Sequence, residues 1–248
     1  GTLLSAIPRL REISLDRMLA CLGVVFVCCV GLAYAVVNFL PFDSYSIAWD
    51  QRQILYFALY YLALTLPFII SGLGIGSALA SGEGKSHLFY AANLVGSGVG
   101  ALLAPVALWL GGVPGAILIC GILGLGVTLI AIRPAIKLKE GLYWHRWLAM
   151  GLLSGGGIIF ITLAILNIQS RAPLGMTISP YKGLAQARRF PNSEIIFSRW
   201  NAISRLDVVA EAGIHQLPGL SYLYPEVPPQ QLGLSRDADA LLEITPVH

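Results

Sequence analysis

Residues 88–132 read LFYAANLVGSGVGALLAPVALWLGGVPGAILICGILGLGVTLIAI and contain no Asp, Glu, Lys, Arg or His. A helix needs about 20 apolar residues to cross the hydrocarbon core of a bilayer. The stretch is therefore long enough for two crossings, at 88–110 and 113–132. A lone strand in hydrocarbon leaves its backbone groups unpaired, at several kcal/mol each, so both segments are predicted to be helices.

Three further uncharged stretches of similar length lie at 18–40, 54–75 and 147–168. Of the whole chain, 56% is hydrophobic and 12% is charged, against about 25% charged residues in soluble domains. Its mean hydropathy is +0.73. These values exclude a soluble single domain and a disordered tail. The net charge of only +3, with scattered basic residues, also excludes a nucleic-acid binder. The predicted fold is an α-helical polytopic membrane bundle of about five transmembrane helices, followed by a small β-rich C-terminal segment.

The chain divides by composition into a basic N-terminal segment (1–17), the transmembrane helices (18–168) and an extramembrane segment (169–248). Residues 1–17 have no apolar core followed by a cleavage site, so they do not resemble a signal peptide. The last segment is rich in charges and prolines. Apolar runs between its turn signals predict short strands, at 194–197, 205–209, 220–224, 232–234 and 241–244. Residues 182–190 predict one amphipathic helix.

The loop charges predict the orientation, because cytoplasmic loops carry an excess of Lys and Arg. With the N-terminus inside, eight basic residues lie in the inner segments and only Arg52 lies in the outer loops. Five crossings then place the tail outside. We expect a multi-pass protein of the cell (inner) membrane with an extracytoplasmic C-terminal segment.

Pairs of small residues four positions apart occur in three predicted spans. A dinucleotide-binding glycine loop would need a strand before it and an acidic residue about 20 positions later, and uncharged spans offer neither. Close helix–helix packing through small faces is the favoured interpretation, and some of these faces are expected to dock other membrane protein subunits. The predicted packing residues are Gly72, Gly76, Gly96, Gly100, Gly151 and Gly155.

The residues give little support for catalysis. The four cysteines lie in predicted spans and form no C-x-x-C pattern, so neither zinc nor a redox dithiol is indicated. The histidines are isolated from one another, and His145, between Trp144 and Trp147, is typical of an interfacial anchor. We predict no catalytic residue, no metal site and no cofactor within this chain.

Several ordered motifs resemble membrane-fused spermidine synthase-like proteins. In the tail they are SPYKGLAQ at 179–186, RWNAISRLDVV at 199–209, PGLS at 218–221 and QLGLSRDAD at 231–239. In the membrane part they are LPFDSY at 40–45, AWDQRQ at 48–53 and YAANLVGS at 90–97. The resemblance covers roughly residues 15–245.

This resemblance implies a small β segment leading into a doubly wound domain that binds an S-adenosylmethionine-type cofactor. That catalytic domain would begin after Pro246. Two positions depart from the family pattern: Lys182 stands where soluble relatives have a cofactor-binding Gln, and Ala238 stands where an Asp-Gly-Asp turn is expected.

Two hypotheses follow. The favoured one is a non-catalytic membrane subunit or scaffold of a larger assembly. The alternative is a membrane-anchored aminopropyl- or methyl-transferase whose catalytic domain lies beyond residue 248. Polyamines and adenosylmethionine-type cofactors are cytoplasmic, whereas the loop charges place the tail outside, which favours the first hypothesis.

Overall fold

The computed structural model of the protein describes residues 14–81, 86–136, 175–210, 221, 223, 230–239 and 241–245. These residues form long apolar helices and a small antiparallel sheet. They divide into two compact units. Unit 1 comprises Gly1–Leu103 and Val113–Gly175, and unit 2 comprises Ala104–Gly112 and Met176–His248.

Three helices are long and apolar enough to cross a membrane. They are α1 (Leu15–Phe39), α2 (Arg52–Ala80) and α3 (Ser86–Ile136). Within α3, Gly112 has φ 62° and ψ −166°, which is not helical. We therefore treat α3 as two parts, α3N (86–111) and α3C (113–136).

The predicted spans at 18–40 and 54–75 fall on α1 and α2, and those at 88–110 and 113–132 fall on α3N and α3C. Membrane helices are thus confirmed, but the count of about five is not. The fifth predicted span, at 147–168, lies outside the described residues.

The helices expose large apolar side chains. Phe39, Phe68 and Leu102 are 81%, 78% and 76% exposed. Monomeric soluble proteins rarely leave continuous apolar surface of this kind open. Helices that face lipid expose apolar side chains along their whole length, because the hydrocarbon tails are as apolar as the side chains.

Four strands form one antiparallel sheet in the order β1-β2-β3-β4. They are β1 (Glu194–Trp200), β2 (Arg205–Ala210), β3 (Leu232–Arg236) and β4 (Leu241–Ile244). One face packs on the short helix α4 (Gly183–Ala187), where Leu184, Ala187, Val209 and Ala238 form the core. The β-rich C-terminal segment is thereby confirmed, with its strands at four of the five predicted positions.

Two predictions in the tail differ from the structure. Helix α4 covers only five of the nine residues predicted at 182–190. After Ala187 the N–H groups of Arg189 and Phe190 bond three residues back, to the Gln186 and Ala187 carbonyls, and Pro191 disfavours helical backbone at Phe190. The strand predicted at 220–224 is wrong at both of its described positions, Ser221 and Leu223. The Ser221 hydroxyl accepts a hydrogen bond from the Leu223 N–H (3.2 Å), and such local side-chain bonds compete with a strand ladder.

Candidate functional site

Four of the six glycines predicted to pack helices lie among the described residues. A Cβ atom placed on Gly72, Gly96 or Gly100 would meet no atom within 4 Å. Gly76 is half-buried in α2, and Gly151 and Gly155 lie outside the described residues. The packing role of all six glycines stays a prediction. At Gly72, Gly96 and Gly100 it requires a partner helix that is not among the described residues.

A different set of small residues makes a close contact between α1 and α3C. A Cβ on Gly23 of α1 would lie 3.0 Å from the Gly124 carbonyl oxygen of α3C and would also collide with the Thr128 hydroxyl. That hydroxyl donates to the Gly124 carbonyl (3.0 Å). Gly124 and Thr128 are four residues apart, so the small-residue pattern could have revealed them. Gly23 has no small partner at that spacing, and the sequence analysis missed it.

Helices α1 and α2 are joined at both ends. Near one end, the Tyr60 hydroxyl donates to the Val37 carbonyl (3.0 Å). Near the other, the Ser77 hydroxyl lies 3.8 Å from the Met18 sulfur. The two helices are therefore antiparallel neighbours, as expected for consecutive spans.

The loop between α1 and α2 contains two of the membrane-part motifs. The Gln53 side chain accepts from the Asp43 N–H (2.8 Å) and donates to the Asp50 carboxylate (3.1 Å). The Asp43 carboxylate in turn accepts from the Tyr45 N–H (2.9 Å). Because these hydrogen bonds hold the loop together, its polar side chains have a structural role.

Three of the four tail motifs meet at one corner of unit 2, around the turn at Asp237 and Ala238. The Lys182 ammonium donates to the Asp237 carbonyl (2.7 Å), and the Leu184 N–H donates to the Ala238 carbonyl (3.2 Å). The Arg205 N–H donates to the Asp237 carboxylate (2.8 Å). Residues 179–186, 199–209 and 231–239 are thus tied into one folded corner, which we call the motif corner. The fourth motif, at 218–221, lies outside the described residues except for Ser221.

The two positions that depart from the spermidine synthase-like pattern, Lys182 and Ala238, both lie at the motif corner. Asp237 and Ala238 have φ values of 54° and 60°, a left-handed conformation that glycine adopts at lower cost than alanine. Ala238 is nevertheless part of the buried core. Lys182 is hydrogen-bonded to backbone, so it holds the corner rather than pointing freely at a ligand.

Asp207, in β2, is fully buried in unit 2. Its Oδ1 atom accepts from the Arg205 guanidinium at 2.8 and 3.0 Å. Its Oδ2 atom is buried and has no hydrogen-bond partner among the described residues. An unpaired buried oxygen costs free energy, so among the described residues Asp207 is a candidate for a role beyond packing.

Unit 2 also contains a close contact between its two chain segments. A Cβ on Gly112 would lie 2.5 Å from the indole nitrogen of Trp200. Only glycine therefore lets the backbone after α3N approach this ring. No local pattern indicates this pairing, because the two residues are 88 positions apart.

Within the described part of the chain, no three His, Cys, Asp or Glu residues lie close enough to hold a metal ion. Of the histidines only His87 is described, and it is exposed. The four cysteines are free thiols. Comparison of the chain with models of known protein families, with curated proteins and with solved structures gave no match.

Proposed function

We propose that this chain is the membrane anchor and lead-in β segment of a spermidine synthase-like system, and that it acts as a non-catalytic subunit or scaffold. The proposal rests on the resemblance of its ordered motifs. It is supported by one feature of the helices, the open surface of α3N.

None of residues 86–110 is buried in the structure. This segment carries Gly96 and Gly100 on one face, one helical turn apart, both with open space where a side chain would extend. A membrane helix gains nothing from exposing glycines to lipid, whereas small residues let a second helix approach closely. An exposed small-residue face therefore favours a role in binding another membrane protein subunit.

The test replaces Gly96 with Ile and compares the proteins that co-purify in mild detergent. Gly98→Ile is the matched control, because two residues turn a helix by about 200° and place the same change on another face. We expect Gly96→Ile to lose a co-purifying partner and Gly98→Ile to keep it. Gly72→Ile and Gly151→Ile extend the test to the other predicted faces. If all of them keep the same partners as the parent, the scaffold proposal fails.

The second candidate is a membrane-anchored aminopropyl- or methyl-transferase. The motif corner favours it, because motifs far apart in sequence are joined into one folded structure. Calorimetric titration of the chain with S-adenosylmethionine and its decarboxylated form separates the candidates. The scaffold proposal expects no binding, and micromolar binding would favour the transferase. The intact mass of the native protein shows whether a catalytic domain follows residue 248.

We also propose that the β segment lies on the extracytoplasmic side of the inner membrane. The excess of basic residues in the inner segments supports this orientation. The Trp200 contact with Gly112 agrees with it, since residues 111–112 follow a helix that the loop charges direct outward.

A further inference from the structure

The turn between β1 and β2, at residues 201–204, presents an apolar side chain at its tip. The side chain of Ile203 is 92% exposed. The turn is held by the Asn201 side chain, whose Oδ1 atom accepts from the N–H groups of Ile203 (2.7 Å) and Ser204 (2.6 Å). The hairpin therefore keeps Ile203 on its outside in a fixed turn.

The base of this turn lies against the segment that follows α3N, within unit 2. A Cβ on Gly112 would lie 2.5 Å from the indole nitrogen of Trp200, which is the last residue of β1. Ile203 comes three residues after Trp200, so their Cα atoms are at most about 11 Å apart. Residues Ala104–Gly112 belong to the same compact unit as the sheet. The hairpin tip is therefore close to the point where α3N ends.

Gly112 marks the surface of the membrane. The 51 residues of α3 are about 75 Å long at 1.5 Å per residue, against about 30 Å of hydrocarbon, so α3 is long enough to cross twice. A break in a helix leaves backbone groups that lipid hydrocarbon cannot satisfy. The non-helical backbone at Gly112 therefore belongs at the boundary between hydrocarbon and water, and Trp200 lies beside it.

The side chains around the tip suit this boundary. An isolated exposed isoleucine is ordinary on a soluble surface, but Ile203 lies next to a membrane helix. Tryptophan is enriched at membrane–water interfaces, where its ring lies at the level of the headgroups. Arg199 is exposed and has no acidic partner among the described residues, and guanidinium groups bind phosphate well. Successive strand residues point to opposite faces, so Arg199 and Trp200 flank the tip on its two sides.

We propose that the tip of the β1–β2 hairpin is an interfacial membrane anchor. Ile203 enters the layer between headgroups and acyl chains, Trp200 lies at the level of the headgroups, and Arg199 contacts lipid phosphate. The partner is the bilayer around α3N. Because Gly112 lies at a membrane surface whichever way the chain crosses, the proposal depends neither on the orientation of the chain nor on the scaffold function.

The test measures the depth of position 203 in nanodiscs of phosphatidylcholine and phosphatidylglycerol. Ile203→Cys is made in the full chain, with the four native cysteines replaced by Ala, and labelled with an NBD fluorophore. We expect lipids with a nitroxide at the headgroup to quench this label about twofold, because an interfacial side chain lies only about 5–10 Å into the headgroup–acyl boundary. Glu194→Cys, exposed at the opposite end of β1, is the matched control and should be quenched by iodide in water instead.

The phosphate contact is tested separately in the Ile203→Cys background. Arg199→Gln should lower the quenching by nitroxide lipids, because the tip loses its contact with the headgroups. Arg189→Gln removes another exposed arginine, shortly before β1, and should leave the quenching unchanged. Equal quenching in the two variants would overturn the role of Arg199.

Two results would overturn the anchor itself. If iodide quenches the labels at 203 and 194 equally and nitroxide lipids quench neither, the tip faces water. If the label at 203 is protected from both quenchers, the tip lies against protein, such as a second copy of this chain. Positions 203 and 194 are both exposed, so neither substitution removes packing within unit 2.

Discussion

At the scale of single residues, the ion pair between Arg205 and Asp207 in unit 2 allows a direct test of stability. Asp207 is fully buried and its partner is 21% exposed. Removing one member of a buried pair leaves an uncompensated charge, whereas replacing both by apolar residues is often neutral. We expect Arg205→Met to lower the free energy of unfolding of this unit by about 3 kcal/mol. Urea unfolding measures the loss, followed by Trp200 fluorescence in a background where the other four tryptophans are replaced by Phe.

The double variant Arg205→Met/Asp207→Leu should recover most of that stability. Arg236→Met is the control, because Arg236 lies in the same sheet but is exposed, and surface substitutions usually change stability by less than about 0.5 kcal/mol. Equal losses in Arg205→Met and Arg236→Met would show that the buried pair has no special role.

Gly112 combines two constraints at one residue. Its φ of 62° and ψ of −166° belong to a region that is essentially restricted to glycine, and its Cα faces the Trp200 ring. We expect Gly112→Ala to destabilise the protein by about 1–3 kcal/mol, measured as a lower Tm in detergent. Gly98→Ala, in the open part of the same helix, should leave Tm unchanged or raise it. A Gly112→Ala variant as stable as the parent would show that neither the backbone conformation nor the closeness of Trp200 requires glycine at this position.

At the scale of elements, the contact between α1 and α3C depends on the absence of a side chain at Gly23. A Cβ there would be forced against the Gly124 carbonyl and the Thr128 hydroxyl. Gly23→Ala should cost about 1–3 kcal/mol, the usual range for overpacking. Gly31→Ala tests the same helix eight residues later, where nothing lies within 4 Å. Unfolding of both variants in mixed detergent micelles gives the difference, and equal stabilities would contradict the contact.

At the scale of the whole molecule, orientation in the membrane can be measured directly. We expect Ser193→Cys to react with an impermeant maleimide in intact cells, because the loop charges place the tail outside. His87→Cys, in a loop predicted to be inside, should react only after lysis. Both are made with the four native cysteines replaced by Ala. Reaction of Ser193→Cys only after lysis would reverse the topology.

The helices and most strands could be predicted from the sequence because their signals are local. An uncharged run such as 54–75 needs no distant partner to indicate a membrane helix, and a short apolar run between turn signals was enough to indicate β2. The local signal failed at Ser221, whose hydroxyl accepts a hydrogen bond from the Leu223 N–H. It also failed after Ala187, where α4 ends although the predicted helix runs to Phe190.

The sequence by itself therefore determined that this chain has membrane helices and a small β segment, since hydropathy and turn chemistry act within a few residues. Only the tertiary structure decided which glycines matter. Gly72, Gly96 and Gly100 share the small-residue pattern yet face open space, whereas Gly23 lacks the pattern and lies against Gly124 and Thr128 of α3C. The physical reason is that a missing side chain has an effect only where a second segment comes close, and that approach depends on the packing of residues far away in the chain.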